Sequence, residues 1–202
     1  LAGTAIPFTY GNLKTLEALL GEYDGQVAAI MMEPVRSEWP DKDYLEQVKS
    51  LAHKNSALLI FDEVSCGWRL RIGGVQEAAG VTPDMTVVAK AMSNGYPMGA
   101  VVGSREAMEP AGRMFVSSSY WSDNVGLIAS LTTIRELKRR NAEQNFARIG
   151  GALEDACEGV GLPWEDAVAM LRQRFAEPSV MVQARIPPRL AQRALGAGVA
   201  NV

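Results

Sequence analysis

The 202-residue sequence is 48% hydrophobic and 21% charged, the balance of a soluble globular protein, and its length suits one domain or slightly more, with room for a substantial core. Lys and Arg number 20 against 23 Asp and Glu, for a net charge of −3, and no block of like charge stands out; this excludes the basic stripe of a nucleic-acid binder. Cys66 and Cys157 are too few for a disulfide scaffold or a metal cage, and a single histidine, His53, excludes chemistry that needs two imidazoles.

The longest apolar runs, 27–32 and 57–61, fall far short of the ~20 residues of a membrane span. The chain begins at Leu1 without a secretory signal, so a reducing cytoplasm is the expected compartment. Leu13, Leu16, Leu19 and Leu20 predict an amphipathic helix over 12–22, closed by Gly21. The run VAAIMM (27–32) predicts a strand buried on both faces, ended by Glu33-Pro34. A second helix is predicted over 41–54, with Tyr44, Leu45, Val48, Leu51 and Ala52 on one face and acidic residues near its start. ALLIF (57–61) predicts the next strand, which runs into Asp62-Glu63-Val64. MTVVA (85–89) predicts a third, ending at Lys90, and GAVVG (99–103) a fourth. Residues 124–159 read as helical: Ile128, Leu131, Ile134 and Leu137 recur every three residues, and Lys138 to Arg140 load a basic end. After Trp164 the composition becomes Arg-rich and, from Asp166, Lys-free, and Pro187-Pro188 breaks any helix.

Strand, helix, strand with short connections predicts an α/β fold with a mostly parallel sheet flanked by helices. Ligands of such sheets bind beyond the carboxyl ends of the strands, and three predicted strands end in Glu33, Asp62 and Lys90. Taken alone, Asp62 and Lys90 are equally readable as a structural ion pair, and Glu33 as an ordinary loop residue.

Their surroundings say more. LLIFDEVSCGWR (58–69), followed by GVTPDMTVVAKAMSNGYPMGAVVG (80–103), resembles the core of the class III, pyridoxal-phosphate-dependent aminotransferases, nearest to the glutamate-1-semialdehyde 2,1-aminomutase-like members. That pattern is a hydrophobic strand ending in D-E-V, then G-V-x-P-D, a hydrophobic run, K, and G-x-P-x-G-A. MEPVRSE (32–38) matches the family's E-P-V stretch, and SSSYWSDNVGL (117–127) resembles a variant of its T-x-S-G-N-P segment. The resemblance runs from about residue 7 to residue 148. It implies the large domain of the fold type I pyridoxal-phosphate enzymes over 1–145, in its later half, and a truncated or divergent C-terminal region over 146–202.

The resemblance also implies roles. Lys90 would form the aldimine with pyridoxal 5′-phosphate and, once released by a substrate amine, shuttle a proton. Asp62 would pair with the pyridinium nitrogen and keep the ring an electron sink. Val64 would wall one face of the ring. Ser119, with Ser118 beside it, would hold the cofactor phosphate from across the subunit boundary of a homodimer that shares its sites. Small-molecule amino donors and acceptors would be the substrates. Glu63 would brace its loop, Cys66 would be a bystander, and Trp68-Arg69 would order the loop. Gly95, Pro97 and Gly99 would form a tight turn. His53 would be solvated, and Trp121-Ser122 would reach a partner's substrate pocket. The Gly/Ser-rich phosphate turn that family members carry upstream has no counterpart before Asp62, and a sheet lacking its upstream strands would leave an apolar edge uncovered. The alternative function is a degenerate or truncated paralogue that acts as a binding or interaction protein. A nucleotide-binding α/β domain would need a Gly-rich loop between a strand and a helix, and neither Gly73-Gly74 nor Gly99 to Gly103 has that context.

Overall fold

A computed structural model describes residues 3–36, 39–120, 123–163, 165–166 and 180–184. Strand β1 (Ala5–Thr9) leads into helix α1 (Leu13–Glu22), whose first turn is capped by Asn12, the side chain accepting the Thr15 N–H at 3.3 Å. Leu16 and Leu20, one helical turn apart, are the α1 residues that become fully buried. Strand β2 (Ala29–Met32) is followed by helix α2 (Tyr44–Lys54), which buries Tyr44, Leu45, Val48 and Ala52. This helix starts later than the periodicity suggests because Asp41 to Asp43 form a turn, closed by Tyr44 N–H donating to Asp41 O at 2.9 Å. Then come β3 (Leu58–Asp62), the short α3 (Val75–Ala79), β4 (Met85–Val88), β5 (Ala100–Gly103), α4 (Arg105–Met108), α5 (Asn124–Arg139), α6 (Ala142–Gly159) and β6 (Val180–Ala184).

The six strands form one sheet in the order β1-β6-β2-β3-β4-β5. Its centre, β2-β3-β4, is parallel, with Met32 level with Phe61 and Asp62 level with Val87. This bears out the α/β reading with helices on the sheet. The flanking strands run antiparallel: β5 against β4, and β6 against both β2 and β1. Strand β1 was not anticipated. Pro7 removes a ladder donor, which marks an edge strand, and among the described residues its strand partner is β6, far along the chain. The helical stretch 124–159 is two helices, broken where Asn141 adopts φ +49° in the left-handed region.

Leu16, Ile30, Met32, Val48, Leu59 and Phe61, all essentially inaccessible to water, form the heart of the core between α1, α2 and the parallel strands. His53 is exposed, as expected, and it also has a partner. Its Nε2 lies 2.9 Å from Asp84 Oδ2, and the same carboxylate oxygen accepts the Leu59 N–H at 2.7 Å. The imidazole therefore ties the end of α2 to the start of β4, at the amino edge of the parallel strands. Helix α5 is attached by its small residues. A Cβ on Gly126 would sit 2.7 Å from Pro97 O, so only glycine lets the helix approach the turn that precedes β5. No helix among the described residues is long and apolar enough to cross a membrane.

Candidate functional site

The carboxyl ends of β2, β3 and β4 deliver Glu33, Asp62 and Lys90 to one edge of the sheet. Glu63 N–H donates to Val87 O at 2.9 Å, extending the β3–β4 pairing one residue beyond Asp62 and bringing the chain to within three residues of Lys90. Asp62 is half-buried. Its Oδ1 accepts the Val64 N–H at 3.0 Å, and no described residue donates to Oδ2. Lys90 opens a single 3-10 turn (Lys90–Met92) and is exposed, and its Nζ donates to Ser65 Oγ at 2.7 Å. Asp62 and Lys90 form no ion pair with each other. The loop 62–65 links the two, and three residues of chain reach at most about 10 Å, so the carboxylate and the amine stand on neighbouring strand ends.

Backbone strain marks the same place. Five non-glycine residues among those described adopt positive φ, and three of them, Trp68 (+57°), Lys90 (+43°) and Asn94 (+49°), line one open cavity of about 1170 Å³. Each left-handed non-glycine residue costs on the order of 1 kcal/mol, and such costs gather at functional sites. Arg69, Glu136 and Phe146 line the cavity as well.

The loop is held from beneath. Glu63 is 1% exposed, and its carboxylate accepts N–H groups from Val75 at 2.7 Å and Gln76 at 3.4 Å, capping α3. Burial pushes the Glu63 pKa up, and the two N–H groups pull it back. Gly74, at φ +82°, has no room for a Cβ, which would sit 2.6 Å from Glu63 Oε2. Glu63 O accepts the Gly67 N–H at 2.9 Å, and the Arg69 guanidinium donates to Ser65 O. Bracing is thus the geometric role of Glu63, and Arg69 orders the loop. Cys66 points its thiol at Asp62 O, 3.9 Å away; burial, and then the Glu63 charge, push its pKa up to about 12, which makes it a poor nucleophile. Val64 is half-buried beside Asp62. Glu33, half-buried, faces the exposed Arg36 at 3.8 Å. The turn after Lys90 is tight at its start: Gly95 has φ +106°, and Ser93 Oγ donates to Tyr96 O at 2.5 Å.

Ser118 and Ser119 lie in an exposed stretch before α5 and hydrogen-bond to no described residue. Like Asp62 and Val64, they are not among the residues that line the Lys90 cavity. Trp121 and Ser122 lie outside the described residues. Two residues near the edge went unread in the sequence. Ser65 meets Lys90 only because the loop folds back, and nothing in its spacing signals this. Glu143, at the start of α6, accepts the Ile72 N–H at 2.5 Å and Arg71 Nη1 at 3.1 Å, fastening the 69–74 segment from 71 residues away. Those bonds hold the Glu143 carboxyl below the usual range, the Ile72 N–H first and Arg71 next.

The side chains present suit a flat heterocycle with an aldehyde at one end and a basic ring nitrogen at the other. An exposed amine and a carboxylate oxygen with no donor sit on the same edge without neutralising one another.

The class-III aminotransferase family matches residues 9–200. A 3-aminobutyryl-CoA aminotransferase of Cloacimonas acidaminovorans is 35% identical over 167 residues, covering 77% of this chain and 40% of that protein. A glutamate-1-semialdehyde 2,1-aminomutase of Chlorobaculum parvum is 35% identical over 160 residues, covering 76% and 37%. Among solved structures, the FumI protein of Sphingopyxis sp. MTA144, in a form with a pyridoxal-phosphate internal aldimine, superposes with a TM-score of 0.71 at 26% identity, covering 75% of this chain and 38% of that one. An omega-transaminase from Sphaerobacter thermophilus gives a TM-score of 0.58 at 30% identity, covering 63% and 31%. The chain thus spans about two fifths of the length of the curated relatives it matches. The matched span takes in both strand ends that carry Asp62 and Lys90, and the chain belongs to the class-III aminotransferase family.

Proposed function

We propose that the protein is a pyridoxal-phosphate-dependent aminotransferase or 2,1-aminomutase that moves an amino group between, or within, small molecules. One observation carries this reading: the unpartnered Asp62 Oδ2 and the exposed Lys90 amine share the carboxyl edge of parallel strands, with a braced loop between them. When bound, the cofactor supplies a ring that withdraws electrons from the carbon next to the substrate nitrogen. Lys90 would hold the cofactor through its amine, and the same amine, when free, would move a proton between the substrate carbon and the cofactor. Asp62 Oδ2 would hold the ring nitrogen protonated, its Oδ1 being fixed by Val64 N–H. Val64 would wall one face of the ring.

Ser118 and Ser119, which do not line the Lys90 cavity of their own chain, would hold the phosphate in the neighbouring subunit of a homodimer. Residues 1–145 belong to the catalytic domain and 146–202 to a C-terminal region, and the protein works in the cytoplasm. The substrates are small molecules carrying an amino group and a carbonyl.

A titration with pyridoxal phosphate tests the reading. The protein is expected to develop a visible absorbance band that Lys90→Ala does not develop, with Asp62→Asn weakening cofactor affinity about tenfold or more, as loss of a charge-assisted hydrogen bond does. Absence of the band in the natural protein would instead leave a non-catalytic binding protein.

A further inference from the structure

We propose that Ser65 is a positioning residue for Lys90: its hydroxyl holds the lysine amine where the cofactor's aldehyde must arrive. This rests on the reading that Lys90 takes pyridoxal phosphate. Among the described residues, Lys90 Nζ has one polar partner, Ser65 Oγ, at 2.7 Å. The lysine is exposed and its stem has four rotatable bonds, so without a partner the amine would sweep the cavity.

Ser65 is fixed, although it too is exposed. The Arg69 guanidinium donates to its carbonyl, Val64 N–H is bound to Asp62 Oδ1, and Gly67 N–H is bound to Glu63 O. Glu63 in turn is buried and capped onto α3. The hydroxyl therefore takes its place from buried structure, through the same loop that orients the Asp62 carboxylate. A carboxylate at this position would neutralise the amine and hold it protonated. A hydroxyl accepts from the ammonium and can turn to donate to the lone pair of the neutral amine. It keeps the nitrogen in place through the loss of the proton, and the neutral form is the one that attacks. In that step the amine nitrogen bonds to the aldehyde carbon, the carbon–oxygen double bond is replaced by a carbon–nitrogen one, and the oxygen leaves as water with the two amine hydrogens.

The test separates placement of the amine from packing of the loop. Capture of pyridoxal phosphate by the full natural chain is followed by stopped-flow absorbance for wild type, Ser65→Ala and Ser65→Thr. Affinity for pyridoxine 5′-phosphate, which lacks the aldehyde, is measured in parallel. Ser65→Ala is expected to slow capture about tenfold, the effect of one hydrogen bond to a charged group, with affinity for the alcohol analogue unchanged. Ser65→Thr, which keeps the hydroxyl, is expected to restore capture. Wild-type rates in Ser65→Ala would overturn the proposal. So would equal losses of capture and analogue affinity that Ser65→Thr does not restore, because they would mark a packing role. A wild-type protein that captures nothing would overturn the function proposed above along with it; a Ser65-independent rate overturns only this one.

Discussion

Residues 8–81 close a core of their own, whereas residues 100–160 present apolar surface. Every member of the central buried cluster lies between Phe8 and Val81. Helix α1, 10 residues long, buries two leucines. Helix α5, 16 residues long, buries only Gly126 and Ser130 and leaves Val125, Leu127, Ile128 and Leu131 about half exposed or more. On β5, Val101 and Val102 are likewise uncovered. Helices draw most of their stability from the packing of an apolar face. The first region is therefore held by its core, and the second by the β4–β5 ladder and a few anchors: Gly126 on Pro97, and Glu143 on Arg71 and Ile72. The candidate site lies where the two meet, with Asp62 rooted in the first region and the Lys90 cavity roofed by α5 and α6.

The largest effect expected is functional. Lys90→Ala should abolish covalent capture of pyridoxal phosphate while leaving the urea midpoint close to wild type, because the side chain is exposed; a collapsed midpoint would mean that the site and the fold are not separable. Next comes the contrast itself. Phe61→Ala, at a fully buried position, should cost about 3–5 kcal/mol in urea unfolding. Ile128→Ala, at a position 63% exposed, should stay within about 0.5 kcal/mol. Equal costs would break the distinction between the regions. Glu63→Ala should fall between them, about 1–3 kcal/mol, because it leaves the buried Val75 N–H unpaired.

The smallest effect is the pH response of the anchor on α6. Glu143 has a folded pKa below the ordinary carboxylate value of 4.5, so its contribution is present above that value and is lost as pH falls through the lowered one. Hydrogen exchange should show the Ile72 amide losing protection below about pH 4.5, before the amides of β3 do. Simultaneous loss would show that the anchor is not a separate unit.

The parallel centre was legible because each strand is a short apolar run ended by a polar residue, and α1 because its leucines repeat at helical spacing. What could not be read depends on partners distant in the chain. The pairing of β1 with β6, Glu143 with the Ile72 amide, and His53 with Asp84 each joins segments that no local pattern links. The break at Asn141 hid inside a continuous helical periodicity. At the site, Asp62 and Lys90 were legible from their motifs. Ser65 was not, since a serine three residues beyond a strand end has no spacing that points to a lysine. Ser118 and Ser119, identified by resemblance alone, do not line the Lys90 cavity of their own chain.

Borohydride reduction of the protein with pyridoxal phosphate, followed by peptide mapping, tests the central claim most directly. The pyridoxyl group is expected on Lys90 alone, in the peptide that leaves β4. Its appearance on another lysine, or on none, would contradict the placement of the reaction at the carboxyl edge of the parallel strands.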